Sequence, residues 1–387
     1  MKRTAIVVLS LVTLFPAQAL TVKPNPPQIA AKGYVLMDFH SGMVIAEKDA
    51  NEPLAPASLT KLMTAYVVGQ EIKLGRLAWD DRVDVSENAW SAKFPDSSKM
   101  FIKPGDVVTV KDLMRGLIIQ SGNDAAVALA EHIAGSESAF VNLMNSWAEK
   151  LGMDSSQFVN AHGLDAYGIQ STAMDMAVLM QSIIEELPEV YDLYSEKVFT
   201  WAKITQYNRN KLLWDRSLDV DGGKTGYTSD AGYSLASSAT EGRMRLVSVV
   251  MGTSSQQARE SASKNLLNYG FRFYDSQQVA KRDGLETQVK VWKGQTEEVA
   301  LTYKDDIYLT LPRNQADSVT KSVVIDGPVV APIEKGKPLG RVEWRSNGEV
   351  VNSVSLISAE SIEQTSWIGR VWDGIVLWFH TKWSAIF

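Results

Sequence analysis

The sequence predicts an α+β fold: an antiparallel sheet with flanking helices and a helical insertion, then a small all-β domain and an amphipathic tail helix. Three observations lead to this prediction. Up to residue 269, strand patterns come first, then helical patterns, then strands and a last helix, an order typical of helices packed against an antiparallel sheet. From residue 287 to 357, short alternating segments follow without a helical period. The final residues return to helical spacing.

The N-terminus has the pattern of a secretory signal peptide. Lys2 and Arg3 form a basic start, residues 5–15 are apolar, and Ala17-Gln18-Ala19 supplies a small-x-small cleavage site. A membrane anchor is the alternative, but the apolar run is too short to cross a bilayer comfortably. We therefore expect residues 1–19 to be a signal peptide cleaved after Ala19, and the mature protein to be exported.

Residues 28–275 are expected to form the first domain. Strands over 34–39 and 43–47 are joined by a Ser41-Gly42 turn, and a helix follows from Ser58 to about residue 72. The segment 124–134 is apolar nearly all round, so its helix should be buried. The other expected elements are strand-like pieces within 80–110, helices over 111–119, 138–151, 172–186 and 256–269, and strands over 198–204, 223–228, 232–239 and 243–251.

Residues 276–358 are expected to form a separate all-β domain. One strand is predicted over 302–311. Two more, over 341–344 and 350–357, should form a hairpin across Asn347-Gly348, a dipeptide that favours tight turns. The change of character falls at about residues 275–284.

Residues 359–387 are expected to form a membrane-anchoring amphipathic helix. A narrow polar stripe faces a broad apolar surface rich in tryptophan, a composition typical of helices that lie in a membrane interface. Charged residues interrupt the segment, so we do not expect it to span the bilayer. The alternatives are a helix packed on the protein's own surface and a dimer contact. The tryptophans are Trp367, Trp372, Trp378 and Trp383.

Bulk composition excludes several classes of function. The chain has 387 residues, enough for two domains, and its net charge of −6 and pI near 5.4 give no support for nucleic-acid binding. The absence of cysteine excludes disulfides, thiolate metal sites and cysteine catalysis. Four histidines without a metal-ligand spacing favour neither a metal nor another cofactor.

The candidate nucleophile is Ser58, which precedes Lys61 by three positions. On a helix this spacing places both side chains on one face, one turn apart. A serine hydroxyl is a weak nucleophile until a base takes its proton, and a lysine whose pKa is lowered by burial or by a second cation can be that base. An isolated Ser-x-x-Lys pattern is weak evidence, because a surface helix start with a solvated lysine gives the same letters.

Two further motifs follow in order. Ser121-Gly122-Asn123 lies at a junction between predicted helices, and Lys224-Thr225-Gly226 lies on a predicted strand. Ser-x-x-Lys, Ser-x-Asn and Lys-Thr-Gly in this order are the motifs of penicillin-binding proteins and class A β-lactamases. Each motif is weak alone, but the three together on their expected elements are specific.

Each residue type suits acyl transfer. Ser58 would attack a carbonyl carbon, Lys61 would accept its proton, and Lys224 would keep Lys61 neutral by charge repulsion. Ser121 can relay a proton to the leaving group, and Asn123 can hold a substrate amide. Lys224 and Thr225 can bind a carboxylate, and Gly226 leaves room for the substrate. The oxyanion would lie between the N–H groups of Ser58 and Tyr227. Strand alternation sends Lys224 and Thr225 to opposite faces, so both reach the cleft only on a twisted edge strand.

The mature chain resembles the low-molecular-mass penicillin-binding proteins of the type-5 D-alanyl-D-alanine carboxypeptidase group. The resemblance covers the stretches 56–63, 121–130, 162–165, 208–210 and 220–232, as well as the β domain and the tail. It implies a β-lactamase/transpeptidase-like fold and removal of the terminal D-alanine from peptidoglycan pentapeptides. It also implies covalent inhibition by β-lactams and attachment to the outer, periplasmic face of the inner membrane.

The resemblance also suggests further substrate-binding residues. Arg209 and Arg259 are candidates to hold the terminal carboxylate of the substrate, with surface ion pairs as the alternative. His162 lies in a loop that borders the site in relatives, and a loop-bracing role is its other interpretation. The family usually has histidine after Lys-Thr-Gly, whereas this chain has Tyr227. The oxyanion role uses a main-chain N–H, so we expect activity to survive this change.

Other functions stay open at this stage. A weak β-lactamase is one, although residues 154–172 contain no glutamate to activate a deacylating water as class A enzymes do. A D,D-endopeptidase that cuts cross-links is a variant of the main prediction. A low-activity, membrane-tethered wall-binding paralogue is the non-catalytic alternative.

Overall fold

The structure is a computed structural model and describes residues 25–313, 315, 318–346 and 348–383. The side chains of residues 379–383 are not described. The expected signal peptide, Asn347 and the last four residues of the expected tail helix therefore lie outside the described residues.

The N-terminal domain is built on a five-stranded antiparallel sheet with strand order β2-β1-β9-β8-β7. Alternate residues of each strand face opposite sides of a sheet. In β1, Val35 and Met37 belong to the core shared with the helical insertion, whereas Tyr34 and Leu36 belong to the core under the last helix. The strands are β1 (Gly33–Asp38), β2 (Val44–Lys48), β7 (Asp219–Thr228), β8 (Gly232–Glu241) and β9 (Met244–Thr253).

Helices cover both faces of this sheet. The helix that begins at Asn123 is buried from that residue through Ala130, as its uniformly apolar sequence predicts. The helix that follows β9 extends four residues further than predicted, to Phe273. The helices are α1 (Thr60–Lys73), α2 (Val110–Ile119), α3 (Asn123–Ala134), α4 (Glu137–Lys150), α5 (Ala173–Glu186), α6 (Pro188–Asp192) and α7 (Gln256–Phe273).

Two short two-stranded antiparallel sheets complete this domain. The pair β3 (Arg82–Asp84) and β4 (Val107–Thr109) lies within the segment predicted as strand-like. The single strand predicted over 198–204 is wrong, because the chain turns at Ala202 and Lys203, which both have left-handed backbone angles. The result is the hairpin β5 (Val198–Trp201) and β6 (Ile204–Tyr207).

The C-terminal domain is all-β. A six-stranded sheet has the order β14-β16-β17-β12-β11-β15, and a separate ribbon pairs β10 with β13. The single strand predicted over 302–311 is wrong, since it divides into β12 and β13 at residues 303–306. The predicted hairpin is present, with Ser346 paired to Glu349. The strands are β10 (Tyr274–Ala280), β11 (Leu285–Trp292), β12 (Glu298–Thr302), β13 (Ile307–Pro312), β14 (Val319–Ile325), β15 (Val329–Val330), β16 (Pro338–Ser346) and β17 (Glu349–Ser358).

The two domains meet at the β1–β2 turn. The Ser41 hydroxyl lies 2.6 Å from the Thr310 hydroxyl, and the His40 ring stacks on Tyr308 with centroids 4.4 Å apart. At the other end of the β domain, helix α8 (Trp367–Trp383) follows the predicted amphipathic tail. Asp373, in the second turn of α8, accepts a hydrogen bond from the main-chain N–H of Lys293 at 2.6 Å, which holds this part of the helix against the β domain.

Candidate active site

The predicted site residues meet in a cleft of about 850 Å³. Its walls are the 3-10 turn that leads into α1, the α2–α3 junction, the 160–165 loop and the edge strand β7. Lys61 and Lys224 are buried beside the cleft, at 1% and 2% exposure. The predicted residues that line the cleft are Ser58, Ser121, Asn123, Arg209, Thr225, Gly226, Tyr227 and Arg259.

Ser58 lies in the 3-10 turn Ala57–Leu59, which continues directly into α1. Ala57 has a φ of 48°, a left-handed conformation that costs a non-glycine residue of order 1 kcal/mol and is often found at functional sites. Leu59 N–H closes the turn on the Pro56 carbonyl at 3.1 Å. The turn thus holds Ser58 half-buried at the wall of the cleft.

The Lys61 amine contacts three oxygens. Its Nζ is 3.2 Å from Ser58 Oγ, 2.7 Å from Asn123 Oδ1 and 2.5 Å from the main-chain carbonyl oxygen of His162. The last two are amide oxygens and can only accept hydrogen bonds. A neutral amine has two N–H groups and one lone pair. Asn123 and His162 therefore use both N–H groups, which leaves the lone pair for the hydroxyl proton of Ser58.

The protonation state of Lys61 favours this role. Burial, followed by charge repulsion from Arg209, lowers its pKa to about 7, and Asp124 acts in the opposite direction. A substantial fraction of the amine is therefore neutral near pH 7. The sequence predicted a lowered pKa through repulsion from Lys224. The structure adds burial and Arg209 as causes, and the repulsion between the two lysines lowers the pKa of Lys224.

The 160–165 loop approaches the nucleophile closely. Gly163 has a φ of +83°, and a Cβ atom on it would lie 1.9 Å from the carbonyl oxygen of Ala57. Asn160 Oδ1 accepts the N–H of Gly163 at 2.6 Å, and Thr64 donates to the Ala161 carbonyl at 2.6 Å. These contacts hold the His162 carbonyl against Lys61.

Ser121 and Lys224 form the second polar pair. Lys224 Nζ donates to Ser121 Oγ and to the main-chain carbonyl oxygen of Thr225, both at 2.9 Å. The pKa of Lys224 is well below its usual value, first because of burial and then because of repulsion from Lys61, Arg209 and Arg259. The two lysines are thus electrostatically coupled, and a second positive charge in this pocket is strongly disfavoured.

Strand β7 resolves the conflict over side-chain directions. It is an edge strand, and its pairing with β8 is irregular between Val220 and Gly222, upstream of the motif. Lys224 reaches Ser121, while Thr225 lines the cleft. A Cβ on Gly226 would lie 3.0 Å from the Pro56 carbonyl oxygen, so a side chain here would push β7 and the nucleophile turn apart by a few tenths of an ångström.

Two arginines give the cleft a cationic end. Arg259 is 4% exposed, donates to the Gly226 carbonyl at 3.1 Å, and lies 5.6 Å from the Tyr233 ring centroid. Burial lowers its pKa to about 10. Its Nε atom is buried and has no hydrogen-bond partner among the described residues. Arg209 is exposed and donates to Ser98 Oγ at 2.6 Å. Both guanidinium groups can therefore meet an anion in the cleft.

Tyr227 and His162 are placed differently. Tyr227 lines the cleft, is 53% exposed, and packs against Tyr233 with ring centroids 4.3 Å apart. The imidazole of His162 faces a separate cavity behind the loop, where it meets Glu137 and Phe94. The structure therefore gives the His162 ring a loop-bracing position rather than a place in the cleft, and only its carbonyl contacts the site.

Sequence reasoning missed Asp124. Its carboxylate accepts the N–H groups of Met100 at 2.7 Å, Phe101 at 2.8 Å and Ile102 at 3.2 Å, and thereby holds the loop that carries Ser97 and Ser98. The acidic residue after Asn123 was a visible signal, since it lies in the first turn of α3. Its partners are more than 20 residues away, and no local pattern indicates them.

Within the part of the chain that the structure describes, no group of three or more histidine or acidic side chains is arranged to hold a metal ion.

Comparison with known proteins supports both domains. The profile of the D-alanyl-D-alanine carboxypeptidase family matches residues 20–255, and that of the C-terminal domain of penicillin-binding protein 5 matches residues 274–364. The chain is 45% identical to D-alanyl-D-alanine carboxypeptidase DacC of Escherichia coli, over 93% of this chain and 91% of that protein.

Solved structures agree. Penicillin-binding protein 5 of Haemophilus influenzae is 42% identical, with a TM-score of 0.86 over 88% of this chain and 100% of that one. Penicillin-binding protein D2 of Listeria monocytogenes in its ampicillin-bound form is 30% identical, with a TM-score of 0.57 over 64% of this chain and 100% of that one.

Proposed function

The chain belongs to the D-alanyl-D-alanine carboxypeptidase family of serine peptidases, and we propose that it removes the terminal D-alanine of peptidoglycan pentapeptides through an acyl-enzyme on Ser58. The arrangement around Lys61 carries this proposal. A neutral amine whose two N–H groups are engaged presents its lone pair to one hydroxyl, and that hydroxyl borders a cleft with a cationic end.

Acylation proceeds in two steps. Ser58 Oγ attacks the carbonyl carbon of the penultimate D-alanine while its proton moves to Lys61, and the oxyanion is held by the N–H groups of Ser58 and Tyr227. Collapse of this intermediate breaks the C–N bond. The Ser121 hydroxyl, hydrogen-bonded to Lys224, gives its proton to the departing D-alanine nitrogen and receives in exchange the proton that Lys61 took from Ser58, so that Lys61 is neutral again. Water then hydrolyses the ester and restores Ser58.

The cationic end of the cleft would bind the terminal carboxylate of the substrate. Arg209, Arg259 and the Thr225 hydroxyl line this end, and charge-assisted hydrogen bonds from arginine suit a carboxylate. We assign Asn123 to hold the substrate amide as well as Lys61, since its side chain reaches both Lys61 and the cleft.

β-Lactams would be covalent inhibitors, because their strained amide presents the same carbonyl to Ser58. The relative from Listeria monocytogenes has been solved in an ampicillin-bound form. The carboxylates that line the described cleft are Asp96 and Asp165, and Asp165 accepts a hydrogen bond from Thr228 at 2.7 Å. The absence of glutamate from residues 154–172 favours slow hydrolysis of the penicilloyl ester over β-lactamase activity.

Mass spectrometry after treatment with benzylpenicillin tests the mechanism. We expect one adduct, on the peptide that contains Ser58, and none in Ser58→Ala. Release of D-alanine from a pentapeptide distinguishes the carboxypeptidase from a wall-binding paralogue, and a cross-linked peptide substrate detects endopeptidase activity. A label on another peptide would refute the assignment of Ser58.

The tail would attach the enzyme to the outer face of the inner membrane. Trp367 and Trp372 are 68% and 67% exposed on α8, and they are joined there by Ile368, Val371 and Ile375. The helices that the structure describes include none long and apolar enough to cross a membrane. Peripheral burial of this apolar face is therefore the mode of attachment that we propose. Flotation of the purified full-length chain with phospholipid vesicles tests it, and recovery in the lipid-free fraction would exclude it.

We place the domain boundaries at 28–275 for the peptidase, 276–358 for the β domain and 359–387 for the anchor, after a signal peptide over 1–19 and export to the periplasm. Helix α7 passes directly into β10 at Tyr274, two residues before the proposed start of the β domain, which supports a boundary close to this position. N-terminal sequencing of the enzyme purified from cells tests the cleavage site.

A further inference from the structure

A carboxylate lies behind the loop that supports Lys61. Glu137, the first residue of α4, accepts the main-chain N–H of Ala161 at 2.9 Å through Oε1. The same oxygen lies 3.5 Å from Nε2 of His162, whose side chain is 12% exposed. Glu137 thus contacts two consecutive residues of the loop, and the second of these gives its carbonyl oxygen to the Lys61 amine. None of the three sequence motifs includes Glu137.

The hydrogen bonds of His162 define its tautomer. Leu164 N–H donates to Nδ1 of His162 at 3.2 Å, so this nitrogen is an acceptor and the ring proton lies on Nε2, facing Glu137. Burial, followed by repulsion from Lys61, lowers the pKa of His162 to about 3. The ring is therefore neutral near pH 7. Glu137 orients it through an N–H···carboxylate contact, the arrangement by which a carboxylate commonly holds an imidazole in one orientation.

The other supports of the loop come from different elements. Thr64 on α1 binds the Ala161 carbonyl, and Asn160 binds N–H groups within the loop itself. Glu137 supplies the support from α4, on the side away from the cleft. Without it, Ala161 N–H and His162 Nε2 would lose their described partner. The loop could then withdraw from Lys61 on that side.

We propose that Glu137 is a positioning residue that keeps the His162 carbonyl against the Lys61 amine and so keeps the Lys61 lone pair directed at Ser58. This inference rests on the proposed role of Lys61 as the base. Small displacements of a catalytic group have large effects on rate, with a shift of about 1 Å costing up to about 10²-fold. A second effect concerns hydration, because burial is the first cause of the lowered Lys61 pKa, and a loosened loop admits water.

The charged residues that face Glu137, His162 and Lys61 come from several elements of the fold. Glu131 on α3 and Lys93 line the same cavity of about 370 Å³ as Glu137 and His162. Burial and then Glu131 raise the pKa of Glu137. On the cleft side, Arg209 and Asp124 act on Lys61, and Lys224 is coupled to it.

The test is the pH dependence of acylation by benzylpenicillin in the full-length Glu137→Ala and Glu137→Gln enzymes. For Glu137→Ala we expect the acylation rate constant at pH 7 to fall about tenfold or more, and the acidic limb of the profile to move up by about one pH unit. Glu137→Gln retains one oxygen that can accept from both loop groups, but it lacks the negative charge that strengthens both contacts. We therefore expect an intermediate effect.

Glu131→Gln is the matched control. Glu131 faces the same cavity, but its carboxylate binds Ser86 and Asn88 rather than the 160–165 loop. We expect its pH profile to match that of the wild type. Thermal unfolding of each variant, with rates measured well below the lowest midpoint, separates loss of stability from loss of positioning.

The outcomes distinguish this inference from the proposed mechanism. If the wild type is labelled at Ser58 and Glu137→Ala keeps the wild-type profile, Glu137 has no positioning role and the mechanism stands. A lowered unfolding midpoint with an unchanged profile also overturns the inference. If the wild type carries no adduct on Ser58, the mechanism itself fails.

Discussion

The catalytic cleft and the tail helix depart from the usual distribution of side chains in opposite directions. Charged residues are almost never fully buried unless they are paired, and large apolar side chains are usually covered. In the cleft, Lys61, Lys224 and Arg259 are at most 4% exposed. On α8, Trp367 and Trp372 are more than two-thirds exposed. The same chain therefore buries its cations in one domain and exposes its tryptophans in the other.

The difference shows that the buried lysines find their contacts within the protein, whereas the tryptophans of the tail do not. The two buried lysines have hydrogen-bond partners, and both have a lowered pKa. Strongly shifted pKa values of this kind are typical of functional sites. The tail has the opposite property, since its apolar face has no cover of comparable extent among the described residues. The cleft therefore supplies the contacts of its two lysines from within the protein, whereas the tail has a surface that a partner would cover.

Removal of the buried amine should have the largest effect. We expect Lys61→Met to lower the rate of acylation by benzylpenicillin about 10³-fold or more, because Ser58 then has no base within reach. Lys73→Met is the matched control, since Lys73 ends the same helix but is half exposed and pairs with Glu186 at 3.7 Å. Stopped-flow or quench measurement of adduct formation gives both rates. Near-normal acylation in Lys61→Met would show that another group takes the proton.

Removal of the exposed tryptophans of α8 should have the next largest effect, and the property that it changes is membrane binding rather than acylation. Burial of each indole contributes about 1.5 kcal/mol or more, so Trp367→Ser with Trp372→Ser should weaken vesicle binding roughly 10²-fold. Acylation should be unchanged. Trp90→Ser, at a 43% exposed tryptophan of the peptidase domain, is the control and should bind vesicles normally. Equal binding by all three proteins would mean that the tail packs on another surface.

The pH profile sharpens the comparison further. Only neutral Lys61 can accept a proton, and its pKa is about 7, so acylation should fall about tenfold per pH unit below 7 and level off above it. Arg209 is the second cause of that lowered pKa. Arg209→Gln should therefore move the acidic limb to higher pH, in addition to weakening substrate binding. A limb that stays in place in Arg209→Gln would mean that burial alone sets the pKa.

We expect the smallest change in acylation rate from substitutions of Tyr227. This residue lies in the cleft, but its side chain is exposed, as are the tryptophans of the tail. Its proposed catalytic contribution is a main-chain N–H, so Tyr227→His should change acylation by less than about tenfold. The side chain packs against Tyr233, and Tyr227→Ala should alter the preference among penicillins with different side chains more than the histidine variant does. Rate constants for a panel of penicillins measure this. A loss as large as that of Lys61→Met would give the phenol ring a direct catalytic role.

Much of the site could be predicted from the sequence because its chemistry lies in short motifs. The structure brings Ser58, Lys61, Ser121, Asn123 and Lys224 together, as their spacing and order led us to expect. The family, the α+β fold and the β domain are confirmed by the comparisons. The contacts of Asp124 and of the His162 carbonyl could not be foreseen, because they join residues far apart in sequence and, for His162, involve no side chain.

The two strands that were wrongly predicted as continuous, over 198–204 and 302–311, are each broken by a turn that the local sequence does not indicate. At Ala202 and Lys203 the chain turns through left-handed angles without glycine, proline or asparagine, the residues that normally indicate such a turn. At residues 303–306, a Tyr-Lys-Asp-Asp run separates β12 and β13, and apolar residues on both sides continue the alternation. Periodicity alone merges two strands when the break between them keeps the pattern.

The contact between Lys61 and the main chain of residue 162 has a consequence for evolution under antibiotics. No codon change at position 162 can delete a carbonyl oxygen, and at Gly163 any side chain would collide with Ala57. Mutants selected for escape from penicillins cannot remove this support in a single step at either position without disturbing the turn that the enzyme itself needs. We therefore expect resistance-associated substitutions to arise around the cleft mouth rather than in this part of the loop.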